Sequence, residues 1–284
     1  MAQPGFAVSP ELRPGAPQPH QWLWPARPPQ PHQWLWPARP PQPDDTLVLF
    51  FPFAGGSAAS FRGWAGRLPA GHVFVGVELP GRGRRSREPY AVSYEEVIAG
   101  ITAELESFTQ RRLVLFGHSM GAELAYELTL ALEGGARRPA LAVISAGRAP
   151  STGLGRPPIA HLPLPEFLAA AVRDGLAAPE LATYPQLAEI YGPVLQADLR
   201  LVEQRGQTAG TPTSVPLVLF GSRQDRLVPE QVLRKWSALA AAPPTLHLFD
   251  GGHMFILERA DLVSATLVDL LEQTRGNGGR PAPL

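Results

Sequence analysis

From residue 46 onward the chain alternates short, unbroken apolar runs with longer amphipathic stretches. TLVLFF (46–51), HVFVGVEL (72–79), RLVLFG (112–117), ALAVISA (140–146), VPLVLFG (215–221) and TLHLF (245–249) show almost no polar alternation. Such runs suit strands buried on both faces. Helical signals lie between them. Ser93 opens S-Y-E-E, a capping box with Glu96 three positions on. A second helix is expected from Gly121 to about Glu133, stopped by Gly134 and Gly135. Repeated alternation of strand and helix predicts a mainly parallel sheet covered by helices on both faces, with reactive residues beyond the carboxyl ends of the strands. Residues 151–211 break the pattern, with helix-like stretches at 165–175 and 186–204 and no strand. The expectation is a helical insertion over the strand ends, acting as a lid or substrate-binding cap. The alternative is ordinary outer helices displaced by loops.

The first 43 residues follow a different pattern. They hold 13 of the chain's 33 prolines, and PHQWLWPARPPQ at 19–30 is repeated letter for letter at 31–42. Proline at this density favours extended polyproline conformations and denies a hydrogen-bonded ladder. Residues 1–43 are therefore expected to be a disordered extension, with 44–284 as the folding domain. The competing reading makes Trp22, Trp24, Trp34 and Trp36 anchors of a docking segment.

Charge and composition exclude several classes. The 25 basic and 25 acidic residues balance, which argues against nucleic acid or an anionic membrane as partner. The absence of cysteine removes disulfides, thiolate metal sites and a cysteine nucleophile. With no basic segment leading into an apolar stretch at the N-terminus, and no apolar run of membrane-spanning length, the expected compartment is the cytoplasm.

The chemistry centres on GHSMG at 117–121, which follows one predicted strand and opens a helix. A serine there sits on a sharp turn with its hydroxyl exposed, and the two glycines let strand and helix cross closely. Ser119 needs a base. Among the seven histidines, His20 and His32 lie in the repeat, His72 and His247 in strands, His161 in the insertion, and His118 in the turn itself. His253 remains, on the loop after the last strand. Asp225, in the loop GSRQD after another strand, is the candidate to orient it, ahead of Asp250 and Asp198. The oxyanion donors are expected to be the backbone amides of Met120 and of Ala54, with Phe53 as the alternative, in the loop FPFAGG. Strand–serine turn–helix, with serine, acid and histidine in that chain order, is the pattern of an α/β-hydrolase fold.

With those residues in place, the chain resembles the type II thioesterases, stand-alone editing hydrolases of polyketide and nonribosomal peptide synthesis. FPFAGGSAASFRGW, ELPGRGRR, LFGHSMGAELAYEL, ISAGRAP, ADLRLVE, LFGSRQD and GGHMFIL carry the resemblance, which runs from residue 46 to about 272. It implies the same Ser119–Asp225–His253 triad and a helical lid. It further points to hydrolysis of acyl thioesters on the phosphopantetheine arm of an acyl or peptidyl carrier protein, with no metal or dissociable cofactor; a monomer is expected. The Arg82, Arg84 and Arg85 cluster is either a solvated loop or a contact for the arm's phosphate or an acidic carrier surface. Two positions depart from the family pattern: Gln196 stands where an arginine is usual, and Gln204 where a tyrosine often follows the lid glutamate. Rival readings are a carboxylesterase or lipase on free esters, a cyclising thioesterase, and a non-catalytic binding module.

Overall fold

The computed structural model describes residues 33–110 and 112–276. Its strands are β1 (Leu35–Pro37), β2 (Thr46–Phe51), β3 (His72–Val77), β4 (Arg112–His118), β5 (Leu141–Ser145), β6 (Leu217–Ser222) and β7 (Thr245–Phe249). They form one sheet in the order β1-β3-β2-β4-β5-β6-β7, with every pairing parallel except that of β1 with β3. All six apolar runs become strands.

Double-sided burial accounts for the lack of alternation. One face of the sheet packs Leu47, Leu49 and Phe51 of β2 against Val97 and Ile101 of α1 (Tyr94–Leu105) and Leu124 and Leu128 of α2 (Met120–Leu132). From the other face, Phe50 meets Phe61 and Trp64 of a 3-10 helix, Ala58–Arg67, and stacks on Phe74 at 4.6 Å. The Ser93 side chain accepts the Glu96 amide at 3.2 Å, as the capping box predicts. The reciprocal bond shifts by one residue: Glu96 accepts the amide of Val92 rather than that of Ser93.

Between β5 and β6 lie α3 (Leu164–Arg173), α4 (Glu180–Thr183) and α5 (Pro185–Arg205). The two expected helical stretches are present, with one extra helical turn between them. Phe167, Leu168, Ala171, Leu195 and Leu199 form a small core of their own, separate from that of the sheet. The chain closes with α6 (Glu230–Leu233), α7 (Phe255–Glu258) and α8 (Ala260–Gly276).

One expectation needs correcting. The folded part does not begin near Asp44, because the second copy of the repeat supplies β1. Leu35 pairs with Val77 and is fully buried. The backbone amides of Gln33, Trp34 and Leu35 all donate to the Glu104 carboxylate, at 2.9, 2.7 and 3.1 Å. Trp34 lies under the Arg85 guanidinium and Trp36 under that of Arg84, at 4.0 and 4.2 Å. Proline is tolerated here because β1 is a sheet edge, and a side-chain carboxylate takes the amides that a longer ladder would use. The first copy, with Trp22 and Trp24, lies outside the described residues.

Candidate active site

Parallel strands bring the chemistry to one edge. β4 ends at His118, and Ser119 turns the chain into α2 with φ 56° and ψ −121°. A non-glycine residue there costs about 1–3 kcal/mol and must be held by its surroundings. The hold is visible in the glycines. A Cβ on Gly117 would lie 2.0 Å from the Gly121 carbonyl oxygen, and one on Gly121 would lie 2.3 Å from that of Phe51. Strand and helix backbones touch, so only glycine fits at either place.

His253 arrives on the loop after β7 and Asp225 on the loop after β6. Nε2 of His253 is 3.0 Å from Ser119 Oγ, and its Nδ1 is 2.8 Å from Asp225 Oδ2. The other oxygen of Asp225 accepts the amides of Leu227 and Val228 at 2.8 and 2.9 Å. Burial alone would raise this carboxyl's pKa. The bond from His253, the charge of that ring and the two amides outweigh burial, and hold it below its ordinary value. An ionised carboxylate at Nδ1 selects the tautomer whose Nε2 can accept the serine proton.

The competing residues are elsewhere. Asp250 is 69 % exposed and lies 3.5 Å from Arg223. His118 is buried against Ser145, its Nδ1 2.9 Å from the hydroxyl, and burial pushes its pKa well below the ordinary histidine value. It supports the turn as a neutral ring, 5.2 Å from the ring of His253.

The glycine loop after β2 leaves few amides for an oxyanion. Gly55 N–H donates to Asp198 Oδ2 at 2.7 Å, and Gly56 N–H to the Phe53 carbonyl at 2.8 Å. The Ala54 and Phe53 amides remain as candidates, and Ala54 lines both cavities that reach Ser119 and His253. Met120, at the start of α2, lines one of them.

The arginine cluster is not what the sequence suggests. Arg82 is 6 % exposed and grips Asp198, itself 1 % exposed, through two bonds of 2.6 and 2.5 Å. It also donates to the Gly56 carbonyl at 3.0 Å. Arg85 is equally buried and holds Glu88 and the Glu78 carbonyl. Neither guanidinium is presented to a phosphate or a carrier surface, and neither sits in a solvated loop. Only Arg84 is exposed, and it covers Trp36. Asp198, weighed from sequence only as a rival to Asp225, has a different role: it ties the Gly55–Gly56 loop to α5 as well as balancing Arg82. Its only signal was its place in the ADLRLVE block. Gln196, which replaces the usual arginine, turns away from the site and donates to the carbonyls of Ala160 and Leu162.

A family model for the thioesterase domain matches residues 46–271. The chain belongs to that family. This thioesterase is 33% identical over 239 residues to AMB antimetabolite synthetase AmbE of Pseudomonas aeruginosa, a match covering 84% of this chain and 11% of that protein. It is 29% identical over 234 residues to a probable cadicidin biosynthesis thioesterase of Streptomyces griseus, covering 82% of this chain and 64% of that one. The chain thus spans less than two thirds of either relative. Among solved structures, ClbQ from the colibactin NRPS/PKS pathway matches with TM-score 0.74 and 25% identity, over 80% of this chain and 97% of that one. The type II thioesterase BorB from the borrelidin biosynthetic cluster matches with TM-score 0.74 and 27% identity, over 83% and 96%. The mostly parallel sheet with helices on both faces is the α/β-hydrolase arrangement that the thioesterase shares with these neighbours. Among the described residues, no helix is long and apolar enough to cross a membrane.

Proposed function

We propose that this thioesterase hydrolyses acyl groups from the phosphopantetheine arm of an acyl or peptidyl carrier protein, as an editing or chain-releasing enzyme of polyketide or nonribosomal peptide synthesis. The observation that carries the reading is the unbroken hydrogen-bonded line Ser119–His253–Asp225 at the foot of two cavities. His253 takes the Ser119 proton as the oxygen attacks the thioester carbonyl. The tetrahedral oxyanion is met by the amides of Met120 and Ala54, and the collapsing intermediate expels the arm's thiol, which receives the proton from His253. Water, deprotonated by the same histidine, then attacks the acyl-serine and frees the acid. No step calls for a metal or a dissociable cofactor. The segment between β5 and β6 serves as the lid, since Leu176 of its α3–α4 loop and Leu195 and Leu199 of α5 wall the larger cavity.

The test is substrate presentation. A short acyl group on a carrier protein should be hydrolysed with a higher kcat/KM than the same group on N-acetylcysteamine, because contacts to carrier and arm position the carbonyl at Ser119. Ser119→Ala serves as the blank for both. An enzyme that treats the two thioesters alike, and prefers p-nitrophenyl esters to either, is a general esterase.

A further inference from the structure

Two cavities meet at Ser119 and His253, and their walls differ in kind. The larger, about 490 Å³, is lined by apolar side chains such as Leu181, Leu187, Leu195 and Met254. The smaller, about 200 Å³, carries Arg148, Arg156 and Arg226 together with Glu123 and Asp174. A thioester at Ser119 has two ends, an acyl group and an arm, and each must leave the reacting carbonyl through one of these spaces.

The charges of the smaller cavity do not cancel. Arg156 is paired with Glu203 at 2.9 Å, and Asp174 with Arg173 at 2.9 Å. Glu123 is held by the Tyr94 hydroxyl at 3.1 Å and by Arg205 at 3.4 Å. Burial, the largest influence, lifts its pKa to about 7, so its negative charge is weakened near neutrality. Among the described residues, Arg148 binds only backbone carbonyls, those of Gly153 and Leu227. Burial and the nearby charge of Arg156 both disfavour its cation, while Glu123 and Asp225 favour it without touching it. Arg226 is exposed and, among the described residues, makes no ion pair. Two cations therefore face a small space beside the nucleophile with no anion bonded to them. A partly desolvated guanidinium in that position is strongly satisfied by a carboxylate.

We infer that the smaller cavity receives the acyl group and that Arg148 and Arg226 select short acyl chains ending in a carboxylate. The arm then runs through the apolar cavity. Its phosphate is a poor alternative occupant, since it lies at the far end of the arm from the thioester, whereas this cavity opens at Ser119 itself. The inference rests on the hydrolase reading proposed above, and its test keeps the two separable.

The probes are malonyl-N-acetylcysteamine and its neutral isostere, the isovaleryl thioester, which replaces the carboxylate with a dimethyl-substituted carbon. A 4-(trimethylammonio)butyryl thioester supplies the opposite charge. The full-length enzyme should favour malonyl over isovaleryl in kcat/KM by about tenfold, the rate equivalent of one charge-assisted hydrogen bond. The ratio should fall towards one in Arg226→Gln, whose exposed side chain puts little of the fold at risk. Arg148→Lys should lower it in part, because an ammonium keeps the charge but not the fork. Turnover of isovaleryl with no malonyl preference overturns the inference and leaves the hydrolase reading standing. A preference for the trimethylammonio substrate, lost in Glu123→Gln, also overturns it by assigning the cavity to its carboxylates. A drop in carrier-bound turnover by Arg226→Gln, with the malonyl ratio unchanged, assigns that arginine to the arm's phosphate and overturns it too. If none of these acyl groups is released, either from N-acetylcysteamine or from a carrier protein, the hydrolase reading itself has failed.

Discussion

Asp198→Asn isolates the contact that couples the Gly55–Gly56 loop, the proposed source of an oxyanion donor, to α5. In the native enzyme both Asp198 oxygens are bonded to Arg82, and one also accepts the Gly55 amide, all in a nearly dry site. Removing one charge from a buried pair leaves the other uncompensated, at a cost of about 3–5 kcal/mol. At roughly 2–4 °C per kcal/mol for a domain of this size, the melting temperature should fall by about 6–20 °C. Catalysis should suffer separately. If the Ala54 amide is the oxyanion donor as proposed, a less firmly held loop displaces it, and kcat should drop on the order of tenfold to a hundredfold, somewhat less than outright deletion of a donor. KM should change little. The double variant Arg82→Met with Asp198→Leu separates the two effects. It fills the same space with apolar atoms and should regain most of the stability, yet it offers Gly55 no acceptor, so kcat should stay low. The assays are urea denaturation and steady-state hydrolysis of a small thioester. A variant Asp198→Asn that loses stability but keeps kcat would show that the pair only braces the fold. So would a double variant that regains both.

Two further outcomes follow from other contacts. Leu35→Ala should destabilise the enzyme by about 2–5 kcal/mol, as for other fully buried leucines, and deletion of residues 1–43 should destabilise it further. An unchanged urea midpoint in both would mean that β1 contributes nothing to the folded state. Glu123 and Glu78, both lifted by burial first of all, have folded pKa values of about 7 against an ordinary 4.5. The folded state therefore holds these protons more tightly than the unfolded chain. Their stabilising contribution is complete below about pH 4.5 and fades as pH rises through 7. Glu123→Gln should flatten that decline in urea midpoint between pH 5 and 8 without abolishing it, because Glu78 still titrates; a slope identical to the parent's would refute the assignment.

The strands of the central sheet were legible because burial on both faces leaves an apolar run with no alternation, and nothing else in the chain from residue 46 looks like that. β1 was not legible, for an equally physical reason. It is three residues long, rich in neighbouring proline, and its amides are received by Glu104, some seventy positions away. Local pattern speaks for partners that are close in sequence, or for a face shared by a whole element. A carboxylate that stands in for a missing strand obeys neither rule.

The same distinction divides the site. Ser119, Asp225 and His253 could be placed because each follows a recognisable strand, and a parallel sheet delivers all of its carboxyl ends to one edge; three local signals were enough to specify a long-range geometry. Arg82 and Asp198 have no such guide. A glycine-rich stretch with three arginines reads as a solvated loop, and its true partner sits 116 residues downstream inside a helix that the sheet topology does not constrain. The groups expected to do the chemistry were thus visible from the order of elements. The clamp that holds the Gly55–Gly56 loop depends on how the inserted helices are set down on the strand ends, which no periodicity in this chain encodes. Differences between this thioesterase and its relatives in acyl preference should therefore be sought first in that insertion and in the charged cavity beneath it, before the triad.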